Sequence, residues 1–146
     1  MTDEPQVFYA PGTEELQDLA FRLGRQWREG QIVTLRGDLG AGKTEFARAL
    51  IRDRADDPEL VVPSPTFTLV QCYETAQGAI WHFDLYRLGT VFELFELGWE
   101  DALSAKGLFL VEWPERLGAL LPGTRTEIRF EILADETRRL TVTEYG

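Results

Sequence analysis

A chain of 146 residues has the length of one domain, and a hydrophobic content of 44% with charges spread between the apolar residues is typical of a globular protein. The formal net charge of −10 argues against direct binding of a nucleic-acid backbone, because that affinity comes from clustered Lys and Arg. No apolar run approaches the roughly 18 residues of a membrane span, and the N-terminus lacks a signal-peptide pattern. These features predict a cytoplasmic protein with one domain over residues 1–146.

The first half of the chain predicts a helix, a strand, a glycine-rich loop and a second helix, in that order. Apolar residues at helical spacing follow Thr13, a suitable cap, and Gly30 is a suitable stop. The β-branched segment 31–36 predicts a strand, and segment 45–55 predicts a helix. A strand that enters a helix through a glycine-rich loop is the setting that a phosphate-binding loop requires.

The second half predicts two hairpins around a buried strand. Segments 67–74 and 79–87 flank a polar turn and predict the first hairpin, and segments 126–133 and 138–145 predict the second. The unbroken apolar run 108–111 predicts a strand that is covered on both faces, as in a parallel sheet.

Two short helices, at residues 91–97 and 115–121, complete the prediction. The expected fold class is α/β: a single P-loop NTPase-like domain whose mixed sheet is mainly parallel at its centre. Helices and the two antiparallel hairpins flank that centre, and the strand before the glycine-rich loop is expected near it.

The segment GDLGAGKT, residues 37–44, matches the phosphate-loop pattern G-x-x-x-x-G-K-[ST]. Glycines let backbone N–H groups turn towards a phosphate, Lys43 can bridge the terminal phosphates, and Thr44 can offer its hydroxyl to Mg²⁺. The alternative is a glycine-rich turn that only caps a helix. We expect ATP and Mg²⁺ as ligands, since no N-K-x-D pattern for guanine occurs. The predicted nucleotide contacts are Gly37, Asp38, Leu39, Gly40, Ala41, Gly42, Lys43, Thr44 and Glu45.

Charged side chains of the following helix are expected to face solvent. Glu45 suits the positive end of the helix dipole but would repel a polyphosphate if it pointed inward, so we expect it to point outward. Arg48, Arg52 and Arg54 are interpreted as a solvated face.

Two carboxylates follow or end predicted strands and are candidates for the Mg²⁺ site. Glu112 comes after four apolar residues, as a metal-binding acid at a strand end does, and the alternative is a surface ion pair. Asp84 lies within an alternating run, where a buried carboxylate needs a cation or hydrogen-bond donors. We interpret Asp84 as a metal ligand or as the base that positions the attacking water.

The proline-bounded segment PSPTFTL, residues 63–69, places three hydroxyl groups before a predicted strand. Ser64, Thr66 and Thr68 can sense a γ-phosphate, as switch segments do. The alternative is a turn that is shaped by the prolines and whose threonines begin the strand.

Other conspicuous side chains have structural interpretations as well as functional ones. His82 is expected to pack or pair within its strand, because no second His exists for a zinc site. Trp113 is either core or a base-stacking platform, and Cys72, the only cysteine, is expected to be buried. Three aromatic residues are either core or a docking patch: Phe92, Phe95 and Trp99.

Four segments in this order resemble the bacterial TsaE (YjeE) family of small P-loop ATPases: GDLGAGKTEF, SPTFTLVQCYE, HFDLYRL and LVEWPERLG. The resemblance spans roughly residues 10–122. It implies a role in making the threonylcarbamoyl modification of the adenosine next to the anticodon of tRNA. It also implies that the ATPase serves the TsaB and TsaD pair, which transfers the threonylcarbamoyl group. With such a partner, the acidic chain need not bind tRNA itself.

The same resemblance assigns roles to individual positions. Lys43 and the loop amides would hold ATP, and Thr44 and Glu112 would bind Mg²⁺. Asp84 and Thr66 would support hydrolysis, in which Lys43 also takes part. Thr13 and Arg138 would border the nucleotide. The family usually has a second hydroxyl residue after the motif threonine, a position that Glu45 occupies here.

Two other functions fit the same loop. A P-loop kinase would pass the γ-phosphate to a metabolite, and a non-enzymatic module would use nucleotide binding alone to switch its affinity for a partner. No residue of the sequence stands out as an arginine finger, so slow turnover is expected without a partner complex.

Overall fold

A seven-stranded mixed sheet runs through residues 4–146, the part of the chain that the computed structural model describes. The strands are β1 (Gln6–Ala10), β2 (Ile32–Arg36), β3 (Val70–Thr75), β4 (Gly78–Asp84), β5 (Leu108–Glu112), β6 (Arg125–Ile132) and β7 (Arg138–Tyr145). Their order across the sheet is β1-β7-β6-β2-β5-β4-β3. The four strands β6, β2, β5 and β4 run parallel, and β1, β7 and β3 pair antiparallel at the two sides. The predicted fold class, with its parallel centre and two hairpins, is confirmed.

Helices cover both faces of this sheet. They are α1 (Thr13–Gly24), α2 (Lys43–Ala55), α3 (Val91–Glu96) and α4 (Trp99–Ser104), and a 3₁₀ helix spans Pro114–Leu120. Residues of α1 and α2 share one core cluster with β2, and residues of α3 and α4 share a second cluster with β4 and β5. Within residues 4–146, every helix falls short of the length and hydrophobicity needed to cross a bilayer.

The central strand β5 fixes the direction in which its last residue points. All five of its residues are buried, as the apolar run predicts. Leu108 and Leu110 belong to the α1–α2 cluster, whereas Phe109 and Val111 belong to the other. Because side chains alternate along a strand, Glu112 projects to the α1–α2 side of the sheet, at the carboxyl end of β5.

Several predicted boundaries are wrong by a few residues. Gly12, not Thr13, caps α1, and the helix ends at Gly24 instead of Gly30. The strand predicted from residue 67 begins at Val70, because residues 65–69 form a turn in which the Leu69 amide donates to the Pro65 carbonyl. Strand β4 ends at Asp84 instead of residue 87.

The arginines of α2 do not form a solvated face. Arg54 is buried and donates to backbone carbonyls of the turn that follows α1. Arg48 and Arg52 donate to carbonyls within segment 60–62 at 2.9 Å. Their guanidinium groups therefore attach α2 to both neighbouring turns, since each satisfies a carbonyl that lacks a strand partner.

Exposure also corrects two interpretations of single side chains. Cys72 is exposed on the edge strand β3, not buried. Trp99 is 2% exposed and belongs to the core, whereas Phe92 and Phe95 are 69% and 44% exposed, so neither alternative describes all three aromatic residues.

Candidate functional site

The phosphate loop, residues 37–44, leaves the carboxyl end of β2 and enters α2. A Cβ atom on Gly37 would lie 2.7 Å from the carbonyl oxygen of Phe130, so only glycine lets the loop pass β6. Gly42 caps α2 with a φ of 106° and has no side-chain capping bond. The first amides of α2 are therefore left to an outside acceptor, and an anion is the acceptor that the positive helix end favours.

Lys43 is enclosed by the loop and by an aromatic ring. Its side chain is 4% exposed, and its ammonium group donates to the carbonyl of Gly37. The Nζ atom lies 3.5 Å from the centroid of the Trp113 indole. Burial is the largest influence and lowers the pKa of Lys43, although nearby carboxylates, led by Glu112, oppose this shift.

Thr44 and Glu112 face each other across the end of β5. The Thr44 Oγ1 atom donates to the Glu112 carboxylate, at 2.8 Å from Oε1 and 3.1 Å from Oε2. Nε2 of His82, a residue with no exposed surface, lies 2.7 Å from Oε2 of the same carboxylate. His82 thus pairs within the sheet as predicted, and its contact orients Glu112, a role that sequence reasoning missed.

Asp84 is held by hydroxyl groups of segment 63–69. Its Oδ2 atom accepts hydrogen bonds from Thr66 Oγ1 at 3.0 Å and from Ser64 Oγ at 3.4 Å. Its Oδ1 atom accepts one from the Tyr86 amide at 3.1 Å. The carboxylate is 4% exposed, and these donors offset the cost of burying its charge.

Trp113 belongs to the site. It is partly buried and packs against the edge of the core cluster that contains α3 and α4. Its backbone has a φ of 59°, an uncommon conformation for a non-glycine residue, and this turns the indole towards Lys43 immediately after β5. The Tyr86 ring packs against it at a centroid distance of 4.9 Å. The indole contacts the ammonium group of Lys43. This role differs from both predicted ones, a core residue and a platform for base stacking.

These residues surround a cavity of about 380 Å³, called the phosphate cavity below. It contains all the predicted metal-binding and catalytic side chains. Its lining residues are Leu39, Gly40, Gly42, Lys43, Thr44, Glu45, Ser64, Thr66, Asp84, Tyr86, Arg87, Glu112 and Trp113. Gly37, Asp38 and Ala41 complete the loop without lining the cavity, and Gly37 contributes the carbonyl that Lys43 contacts.

Thr13 and Arg138, predicted to border the nucleotide, lie outside the phosphate cavity. Arg138 donates to the carbonyls of Gly40 and Ala41 at 3.3 Å each, and so holds the loop from its other side. Thr13 lines a second cavity of about 420 Å³ along α1 and α2. Glu45 lines both cavities, so the second one adjoins the phosphate cavity at the start of α2.

The expectation that Glu45 points outward into solvent is wrong. Its Oε2 atom is buried without a hydrogen-bond partner among the described residues. The side chain lies between the two cavities, on the surface of α2 that both share. Helix geometry puts it there, because the residue after Thr44 projects about 100° further around the helix axis.

The oxygen atoms of this site suit Mg²⁺. A threonine hydroxyl and a carboxylate in mutual contact are hard oxygen ligands, and Mg²⁺ bound with a nucleotide takes few protein ligands and several phosphate and water oxygens. Within residues 4–146, no three His, Cys, Asp or Glu side chains converge on one point. Thr44 and Glu112, with Asp84 nearby, would therefore hold the ion together with phosphates.

Residues 10–140 match the model of the family described as "Threonylcarbamoyl adenosine biosynthesis protein TsaE". The chain belongs to the TsaE family. The matched range includes every candidate site residue from Thr13 to Arg138. The resemblance seen in the four sequence segments is thereby confirmed.

Curated TsaE proteins are similar to the chain over most of its length. The chain is 43% identical over 127 residues to a "tRNA threonylcarbamoyladenosine biosynthesis protein TsaE" of Rickettsia felis, covering 87% of this chain and 72% of the relative. A protein of the same name from Bacillus subtilis is 32% identical, with 91% and 82% covered.

The fold is likewise similar to that of a protein of known structure. The crystal structure of Bacillus subtilis YdiB superposes with a TM-score of 0.80 at 28% identity, covering 100% of this chain and 88% of that one. The architecture described above is therefore that of the solved structure as well.

Proposed function

We propose that the chain binds and hydrolyses ATP with Mg²⁺, and that this cycle serves the protein complex that installs the threonylcarbamoyl group on tRNA. Membership of the TsaE family assigns the chain to threonylcarbamoyladenosine biosynthesis. One observation carries the ATPase proposal: a phosphate loop, a hydroxyl–carboxylate pair and a second, hydroxyl-bound carboxylate line one cavity.

The loop side of the cavity would bind the nucleotide. Backbone amides of residues 37–44 surround the phosphates, and Lys43 exchanges its contact with the Gly37 carbonyl for the terminal phosphate oxygens. Thr44 and Glu112, in mutual contact at the end of β5, would hold the metal ion. Bound Mg²⁺ would neutralise charge on the β- and γ-phosphates.

The opposite side would perform hydrolysis. Asp84 accepts a hydrogen bond from a water molecule and directs its oxygen at the γ-phosphorus. The new P–O bond forms as the bond to the β–γ bridging oxygen breaks, ADP leaves with that electron pair, and the water proton passes to Asp84. Thr66 keeps the Asp84 carboxylate in place through its hydrogen bond to Oδ2.

The partner is expected to be a protein and not tRNA. A net charge of −10 disfavours binding to a polyphosphate backbone, whereas the loop amides and Lys43 provide a local anion site. The complex that the family resemblance implies is the TsaB and TsaD pair.

Phosphate release with the partner complex present and absent tests this proposal. We expect slow release by the chain alone and stimulation by the complex. Asp84→Asn should keep ATP binding and abolish stimulated release. Labelled phosphate on a small acceptor would instead favour a kinase. If Asp84→Asn supported full tRNA modification, a nucleotide-gated module without hydrolysis would be favoured.

A further inference from the structure

The phosphate cavity contains a second cation whose role the family resemblance did not assign. Among its lining residues, Lys43 and Arg87 carry the positive charges, and Glu45, Asp84 and Glu112 the negative ones. Lys43 belongs to the phosphate loop, whereas Arg87 follows Asp84 by three residues, on the side proposed to perform hydrolysis. Arg87 is thus the cation of this cavity that lies outside the phosphate loop.

The guanidinium group of Arg87 rests on an exposed ring. Its Cζ atom lies 4.6 Å from the centroid of the Phe67 ring, and Phe67 is 83% exposed. Within residues 4–146, Arg87 takes part in no ion pair, in contrast to Arg25, Arg36, Arg125 and Arg139. Stacking on an exposed aromatic ring is a weak interaction, so a stronger anionic partner can displace it.

The backbone around Arg87 does not need to move for that exchange. Leu85 and Leu88 are buried on either side of it, and the Leu88 amide donates to the Leu85 carbonyl at 3.0 Å. The turn is therefore anchored in the core, and the Arg87 side chain can change its rotamer alone.

We propose that Arg87 is an arginine finger supplied by the chain itself, which leaves Phe67 and contacts the γ-phosphate as it is transferred. This inference rests on the proposed ATP hydrolysis. A guanidinium group near the transferring phosphoryl group stabilises the charge that develops on its oxygens. The stack on Phe67 is the resting position, and the segment that carries Phe67 also carries Thr66, which contacts Asp84.

An arginine finger and a general phosphate-binding residue contact the phosphate at different stages of the reaction. A finger strengthens binding of the transition state and has little effect on the bound product. Equilibrium binding of Mg-ADP with and without fluoroaluminate, a mimic of the transferring phosphoryl group, separates these roles. The variants are Arg87→Ala, Arg87→Lys, Phe67→Ala and, as the matched control, Arg22→Ala on the exposed surface of α1.

In the wild-type chain and the Arg22→Ala control, we expect fluoroaluminate to tighten Mg-ADP binding strongly. The affinity of Arg87→Ala for Mg-ADP should be within about threefold of the wild-type value. The increase in affinity that fluoroaluminate causes should be about 100-fold smaller than in the wild-type chain. Arg87→Lys should recover only part of it, because a lysine cannot present a planar fork to phosphate oxygens. Phe67→Ala should keep the tightening, since the stack is not the working position. Circular dichroism checks that each variant is folded. If Arg87→Ala does not fold, the loss of tightening in Arg87→Lys tests the proposal instead.

Three results would overturn the inference. Full tightening in Arg87→Ala would exclude a finger, and an equal loss of Mg-ADP affinity and tightening would make Arg87 a general phosphate contact. Loss of tightening in Phe67→Ala would make the stack the working position. A wild-type chain that does not bind Mg-ADP would refute the proposed function, and this inference with it.

Discussion

On one side of the phosphate cavity the chain presents mainly backbone, whereas on the other side it presents side-chain oxygens and rings. The first side, the loop wall, is the phosphate loop, of which Leu39, Gly40, Gly42, Lys43 and Thr44 line the cavity. The second, the carboxylate wall, is Thr66, Asp84, Glu112 and Trp113. Residues that contact these four, such as His82 and Ser64, support the wall. The loop wall is continuous in sequence. Its two ends are crowded, because a Cβ atom on Gly37 would meet the Phe130 carbonyl oxygen and one on Gly42 would meet the Leu16 side chain. The carboxylate wall unites three separate segments, so its geometry depends on the Thr66–Asp84 and His82–Glu112 contacts that join them.

Because of this difference, the two walls tolerate different substitutions. On the loop wall, a side chain other than Lys43 or Thr44 matters mainly through the space its Cβ occupies. On the carboxylate wall, removing one donor leaves a buried carboxylate with fewer hydrogen bonds, and the cost depends on the donors that remain. Variants on the two walls should therefore fail in different ways.

His82→Ala should have the largest effect on stability. It removes the Nε2 contact to the buried Glu112 carboxylate and leaves a cavity in the sheet core, so the free energy of unfolding should fall by about 2–4 kcal/mol. Urea denaturation measures this change. His82→Gln keeps a donor and should lose less. A His82→Ala chain as stable as wild type would show that the carboxylate wall does not depend on this contact.

Gly37→Ala tests the loop wall in the same way. Its Cβ atom would lie 2.7 Å from the Phe130 carbonyl oxygen, which should lower the free energy of unfolding by about 2–3 kcal/mol. Gly40→Ala is the matched control, because its Cβ meets nothing within 4 Å and only its φ of +79° is unfavourable, at about 1 kcal/mol. Thermal and urea unfolding compare the two. Equal losses would contradict the steric account of this wall.

Glu112→Gln should weaken metal binding without unfolding the chain. Losing the charge opposite Thr44 should lower the affinity for Mn²⁺, a spectroscopic substitute for Mg²⁺, by about tenfold to 100-fold in the presence of ADP. Electron paramagnetic resonance of free Mn²⁺ measures it. Glu115→Gln, on the 3₁₀ helix just beyond, is the control. The assignment of Glu112 as a metal ligand fails if both variants bind Mn²⁺ as wild type does.

Thr66→Ala should have the smallest effect of the four. Asp84 keeps its bonds to Ser64 and the Tyr86 amide, so phosphate release should fall only about fivefold, the equivalent of ~1 kcal/mol. ATP affinity should not change, since Thr66 contacts the carboxylate and not the loop. Thr68→Ala, which has no bond to Asp84, serves as the control. A loss of affinity with unchanged turnover would reverse the role given to Thr66.

The same contrast explains what could be predicted from sequence. Strand β2, the loop and α2 are contiguous, so a local pattern was sufficient to predict them. Strand β1 was missed, because it is an edge strand of five residues whose partner β7 lies at the other end of the chain. The pairing of His82 with Glu112 depends on the β4–β5 register, in which His82 is opposite Leu110. The burial of Arg54 depends on carbonyls of a turn 27–30 residues away.

Turn geometry accounts for the remaining surprises in the site. The φ of 59° at Trp113 directs its indole under Lys43, and no local sequence pattern predicts that conformation for a tryptophan. The stack of Arg87 on Phe67 joins two segments twenty residues apart. Contacts of this kind follow from tertiary packing, which overrides local preference.

Isothermal titration calorimetry of Mg-ATP with the wild-type chain and with Lys43→Ala tests the central claim most directly. The account predicts one site in the wild-type chain and an affinity about tenfold to 100-fold weaker in Lys43→Ala, because a charge-assisted contact to the phosphates is lost. Absence of binding by the folded wild-type chain, or equal affinity in the two chains, would contradict it.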